Sequence, residues 1–228
     1  MIKTAVAAAV LAVATASGAN ATTVLFSEDF NSLPQALGTT SVPGFTVTGT
    51  VDVVTSGNFS ISCVGNTGAC IDIDGTPGPG NMATLPIAFT AGRLVTISYD
   101  LSGNQRNSGS DDFVLTLSTG APTDLLNITC ISGFSCIPND LFGFTSGAEG
   151  VIVAGSTAWT TYSLSFLPVQ SGTLVLGFSS SSADNVGPLL DNVLVSQAVP
   201  EPASWAMLIA GFGLVGAAAR RRRITVAA

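Results

Sequence analysis

Histidine is missing from all 228 residues of the chain, and charged residues make up only 9% of it, against a usual quarter or so. The commonest general base is therefore absent, and with it the imidazole ligands of ordinary zinc sites. Cysteine is scarce as well. Cys63 and Cys70 make one close pair and Cys130 and Cys136 another; neither has the Cys-x-x-Cys spacing of a zinc site, so metal binding is the weaker reading and disulfides the stronger. Cations are few and badly placed for holding nucleic acid. Lys3 and Arg220 to Arg223 sit at the two ends, while between Thr22 and Val199 thirteen acidic residues face only Arg93 and Arg106. That balance excludes nucleic acid as a partner and repels anionic headgroups; divalent cations and neutral glycans are the partners it admits. No interior segment holds a 3.6-residue period, and there is neither an internal repeat nor a linker.

What is present begins with two addresses. Residues 1–21 read as a signal peptide, with Lys3, an apolar stretch from Ala5 to Ala14 and the small-residue site Ala19-Asn20-Ala21. Signal peptidase should cut after Ala21, so that the mature chain starts at Thr22. An uncleaved anchor is the alternative, but the apolar run falls short of the roughly 20 residues a span needs. Export favours oxidation, so Cys63–Cys70 and Cys130–Cys136 are expected as two local disulfides, one of three connectivities.

At the other end, residues 199–223 place Val199-Pro200-Glu201-Pro202 before Trp205, an apolar stretch from Leu208 to Ala219, and four arginines, Arg220, Arg221, Arg222 and Arg223. Two prolines around one glutamate give an extended stretch that a processing enzyme can grip. Trp205 suits the headgroup level, and the arginines fix orientation. Residues 203–219 at 1.5 Å each reach about 25 Å, the low edge of a transmembrane helix. In this order the features resemble the PEP-CTERM sorting signal of exopolysaccharide-producing bacteria. The resemblance implies recognition of Pro200, Glu201 and Pro202 by exosortase, a membrane-embedded transpeptidase-like enzyme, with the helix and the arginines as retention signal. A plain anchor that is never cut is the alternative.

The interior, residues 22–198, alternates apolar and polar positions with period two, the pattern of half-buried strands. Nine are expected: 23–30, 45–53, 70–73, 95–101, 113–117, 151–154, 162–166, 173–179 and 189–196. An all-β jelly-roll sandwich follows. Two polar clusters stand out. Asp72 and Asp74 alternate so as to share a strand face, and the loop from Asp100 to Asp112 carries Asn104, Gln105 and Arg106, groups of the kind that read sugar hydroxyls.

With Phe26 to Asn31 and Gly187 to Val195, these clusters are similar to the carbohydrate-binding jelly rolls of the galactose-binding-like fold. In such modules the first and last strands lie together and share a structural Ca²⁺, which implies Glu28, Asp29 and Asp191 as ligands. The expected function is a non-enzymatic envelope or extracellular-matrix protein, exported across the inner membrane, held there transiently by its C-terminal helix, released to the cell surface and associated with exopolysaccharide. A carbohydrate-binding or adhesive module using the 104–112 loop is the second reading. An exported hydrolase built on two carboxylates is the third.

Overall fold

The computed structural model describes residues 21–106, 109–123, 144–181, 184–199 and 202–222. The signal segment up to Asn20, with Lys3 and Ala19, lies outside them, as do Cys130, Cys136, Pro200, Glu201 and Arg223. Residues Thr22–Val199 form one compact unit.

Its described residues hold thirteen strands: β1 (Thr22–Glu28), β2 (Ala36–Thr39), β3 (Phe45–Thr48), β4 (Val51–Thr55), β5 (Ala69–Asp72), β6 (Asn81–Thr84), β7 (Ile87–Phe89), β8 (Val95–Ser102), β9 (Ser110–Thr123), β10 (Phe144–Ala154), β11 (Thr160–Phe166), β12 (Gly172–Ser179) and β13 (Leu189–Ala198). The expectation of nine is therefore corrected. β2, β6 and β7 are three or four residues long, too short to show alternation. The expected strand 45–53 breaks into two at Gly49, where φ is +77° and a Cβ would stand 2.7 Å from the carbonyl oxygen of Pro79. Glycine alone fits that corner. There the chain changes sheets, so β3 pairs with β6 while β4 pairs with β5 and β2.

All pairings are antiparallel. One sheet runs β11-β8-β13-β5-β4-β2 and the other β10-β9-β12-β6-β3. β13 begins beside β5 at Leu189 and Leu190 and continues beside β1 from Val193 to Ala198. We call the end near Leu189 upper and the end at Ala198 lower. The two sheets face each other as a sandwich over one core. In β8, Val95, Ile97, Tyr99 and Leu101 are buried while Thr96, Ser98 and Asp100 are half-exposed, as the period-two pattern requires. Tyr99 reaches across to Phe113 of β9 and Phe178 of β12, and Phe166 of β11 meets Phe89 of β7 edge-on. Each such ring, once buried, contributes about 1.5–3 kcal/mol of transfer free energy.

Taken by itself, the tail forms helix α1 (Pro202–Arg222), with proline in the first turn where its missing N–H costs nothing. Among the described residues no helix is long and apolar enough to cross a membrane. The expected transmembrane helix 203–219 is therefore not shown as a span by the described residues. The uninterrupted apolar stretch from Leu208 to Ala219 spans only about 18 Å at 1.5 Å per residue, and Gly211, Gly213 and Gly216 dilute it further.

Candidate functional site: a cleft and an acidic cluster at the upper end

The loop after β8 is clasped against the loop before β11. Gly103 N–H donates to Thr157 O, Gln105 N–H to Gly155 O, and Ser102 Oγ to Thr157 O, all at 2.9 Å. Gly103 is demanded by this clasp, since a Cβ there would lie 2.1 Å from Ala154 O. Gln105 has φ +58°, which turns its amide toward Ser62. Its Oε1 accepts from Ser62 N–H at 2.9 Å, and its Nε2 donates to Ser62 O at 3.0 Å. Trp159 Nε1 donates to the same carbonyl at 2.7 Å. The result is a cleft of about 360 Å³ lined by Ser62, Ser102, Gln105, Gly155, Ser156, Thr157, Ala158 and Trp159. An aromatic ring, an amide and four hydroxyls border it, and no carboxylate does.

Of the three residues expected to bind glycan, the structure brings only Gln105 to this cleft. Asn104 is fully buried: its Nδ2 donates to Asp111 Oδ2 at 2.8 Å and its Oδ1 accepts from Arg106 N–H at 2.9 Å. Arg106 ion-pairs with Asp72, which is 1% exposed. These two hold the loop; they do not face the cleft. Ser62, Ser156, Thr157 and Trp159 were not foreseen. The only signal for Trp159 was its type, one of two tryptophans in the chain.

The wall that carries Ser62 is fastened by a disulfide between Cys63 and Cys70. This is one of the two expected pairs; the other lies outside the described residues. Both cysteines are buried with Val54, Ile61 and Leu189 in a small second cluster, and Trp159 packs on it.

Carboxylates crowd the same end. Asp72 Oδ1 accepts from the N–H groups of Gly187 (2.9 Å) and Asp74 (3.1 Å). Its burial outweighs Arg106 and the Gly187 amide and pushes its pKa up to about 8, Asp52 and Asp74 adding to the rise. Burial likewise raises Asp111, against the hydrogen bond from Asn104. Oxygens of Asp74, Asp111 and Asp184 all lie within 4.8 Å of one another.

Glu28, Asp29 and Asp191, the expected calcium ligands, do not form such a group among the described residues. Glu28 and Asp29 accept from the N–H groups of Phe30 and Asn31 and line, with Asp100 and Asn192, a separate cleft of about 240 Å³. A bulge in β13, with Asn192 at φ +50°, turns Asp191 instead toward Val64 N–H at 3.2 Å. Burial pushes Asp191 up to about 6, the amides of Val64 and Asn192 opposing it and Asp100 and Asp29 assisting.

Fold and tail together define an antiparallel β-sandwich protein with a separate helical tail. Residues 198–223 of that tail match the PEP-CTERM protein-sorting motif, which implies an exported protein sorted by exosortase. No curated protein matches the chain by sequence. Among solved structures, the CBM22-1 xylan-binding domain of Xyn10C from Paenibacillus barcinonensis is 17% identical, with 81% of this chain and 100% of that one covered and a TM-score of 0.45. The K1 adhesin domain of Lys-gingipain from Porphyromonas gingivalis is 10% identical, over 77% of this chain and 97% of that one, at 0.42. The CBM6cm-2 module of Cellvibrio mixtus lichenase 5A is 14% identical, over 78% and 100%, at 0.32.

Proposed function

We propose that this chain is an exported, non-catalytic protein of the cell surface or extracellular matrix whose sandwich binds a neutral polysaccharide in the Gln105–Trp159 cleft. The sorting motif supports the export half of this reading. The cleft carries the binding half: the Trp159 ring offers an apolar face for a sugar ring, Gln105, Ser156 and Thr157 offer hydrogen bonds, and no charge is present to select an ionic ligand. A glycosidase of the usual kind works with a carboxylate pair, and this cleft lacks one. The jelly-roll subclass belongs to the same proposal.

The test is titration of the exported protein with a panel of neutral soluble polysaccharides, beside Trp159→Ala. Binding weakened at least about tenfold by the substitution supports the reading, as expected for the loss of a stacking ring worth about 1.5 kcal/mol. No binding across the panel, or equal binding by both proteins, overturns it. Release of reducing sugar moves the function to the carboxylate-lined cleft of Glu28, Asp29 and Asp100.

Structural calcium belongs to this reading at Asp74, Asp111 and Asp184, whose hard oxygen donors suit the ion. It would neutralise mutual repulsion at the upper end. Unchanged melting between calcium and chelator removes it.

A further inference from the structure

Among the described residues two phenylalanines hold the left-handed backbone conformation, Phe30 and Phe59, each with φ +52°. A bulky side chain is rare there, because its Cβ crowds the following carbonyl. Phe30 is fully buried and its ring packs on Phe45 in the main core, so burial offsets the strain. Phe59 has no such compensation. It is 49% exposed, and among the described residues it belongs to neither buried cluster. Backbone strain that no packing repays marks a position whose side chain serves contact with something outside the fold.

The surrounding loop holds the ring in that pose. Gly57 and Ser60 also have positive φ, +92° and +62°, and the turn they make is closed by Gly57 N–H donating to Ile61 O at 2.7 Å and Ile61 N–H to Asn58 O at 2.9 Å. Ser56 N–H donates to Gly68 O at 2.9 Å, Asn58 Nδ2 donates to Gln35 Oε1, and the Cys63–Cys70 disulfide fastens the base. Little ordering is left to oppose burial of the ring under a ligand.

The same loop supplies one wall of the Gln105–Trp159 cleft. Ile61 lies in the small buried cluster on which Trp159 packs, and Ser62 O accepts from both Trp159 and Gln105. Phe59 stands three positions before Ser62, so their Cα atoms are at most about 11 Å apart. The turn over Asn58–Ser60 shortens that distance. Residues 53–71 contain no charged side chain, and Asn58, Ser60 and Ser62 expose an amide and two hydroxyls. Aromatic rings bordered by uncharged hydrogen-bonding groups suit a neutral sugar chain, and a lipid phosphate or a charged peptide finds no counter-charge here.

We propose that Phe59 is a second stacking platform, so that the site takes an extended neutral glycan with one sugar on Trp159 and a further sugar of the same chain on Phe59. The inference rests on the reading that the Gln105–Trp159 cleft binds a neutral polysaccharide. The site then selects for chain length, because a short oligosaccharide reaches one ring and a longer one reaches both.

The test is calorimetric titration of the exported protein with soluble xylan, β-glucan and dextran, and with ladders of oligosaccharides cut from each by mild acid. Phe59→Gly and Phe59→Asn remove the ring and accept a positive φ, whereas Phe59→Trp keeps a ring. Affinity of the unaltered protein should rise with chain length. Phe59→Gly and Phe59→Asn should lose about fivefold or more on the long chains and nothing on the shortest that bind, and Phe59→Trp should retain the gain. Phe59→Gly should also melt no lower than the unaltered protein, because it releases strain. A lower melting temperature in that variant assigns Phe59 to the fold and overturns the proposal. So do unchanged affinity for long chains, or equal losses on short and long, while Trp159→Ala still weakens binding. Binding of none of these probes, or equal binding by Trp159→Ala, overturns the polysaccharide reading and this proposal with it.

Discussion

The indole N–H of Trp159 and the carbonyl of Ser62 meet at 2.7 Å across 97 residues of sequence. That bond joins the loop before β11 to the disulfide-fastened loop before β5, and the cleft is the space between them. Trp159→Phe keeps an aromatic ring and removes the donor. It should weaken polysaccharide binding about fivefold, the equivalent of one net hydrogen bond near 1 kcal/mol, and less than Trp159→Ala does. Equal losses in the two variants, measured by calorimetric titration, would mean that the bond and not the ring matters.

Reducing the Cys63–Cys70 disulfide, or replacing both cysteines by serine, should destabilise the domain by about 2–3 kcal/mol, the loop-closure contribution of a ring this small. Ser62 adjoins Cys63, so the cleft should lose affinity at temperatures where the domain is still folded. Urea unfolding and titration on the same sample separate the two effects. Peptide mapping that joins Cys63 to Cys130 or Cys136 would contradict the local pairing.

Stability should fall as pH rises from about 5 to about 8. Asp72 has its folded pKa raised to about 8 and Asp191 to about 6, both above the ordinary 3.8. Between the unfolded and folded values the folded state holds a proton that the unfolded chain has released, so each rise in pH favours unfolding. The effect of Asp191 is complete by about pH 6, whereas that of Asp72 extends to about 8. Asp72→Asn, which keeps an acceptor for the amides of Gly187 and Asp74, should flatten the upper part of the curve. Urea midpoints that stay level or climb between pH 5 and 8 would rule this out.

Glu201 separates a sorted tail from a plain anchor. An enzyme pocket built for the one carboxylate between Pro200 and Pro202 is left unpaired by Glu201→Ala. A longer, membrane-retained form should then accumulate in the native host, while the unaltered chain loses α1 and its arginines. Immunoblots with epitopes on both sides of Val199 read the outcome. Identical lengths and fractionation for both forms leave the plain anchor standing. Replacing Arg220 to Arg223 should disturb either version, because it removes the orientation signal. Mass spectrometry of the mature protein also tests whether it begins at Thr22.

The strands legible in the sequence were those with one face in the core. β8 alternates Val95, Ile97, Tyr99 and Leu101 against polar neighbours, and burial follows that pattern. β2, β6 and β7 left no signal, because three or four residues carry too few alternations to stand out. The break at Gly49 shows a different limit: a glycine in a strand pattern marks a bend only when another backbone, here that of Pro79, comes close. In the 104–106 loop, polar side chains that resemble sugar-binding groups serve mostly inward, Asn104 on Asp111 and Arg106 on Asp72.

The sequence by itself determined what depends on order along the chain: the sorting motif of the C-terminal tail, the all-β character, the local Cys63–Cys70 pair and the acidic excess. A sorting motif is read as a linear string, and a strand's alternation is a local property of the pleat. Tertiary structure alone decided which distant residues share a place. It brought Trp159 to Ser62, turned Asp191 to Val64 and out of the cleft that Glu28 and Asp29 line, and gathered Asp74, Asp111 and Asp184. Those partnerships are set by register, bulges and sheet crossings, where one residue of slip turns a side chain to the opposite face.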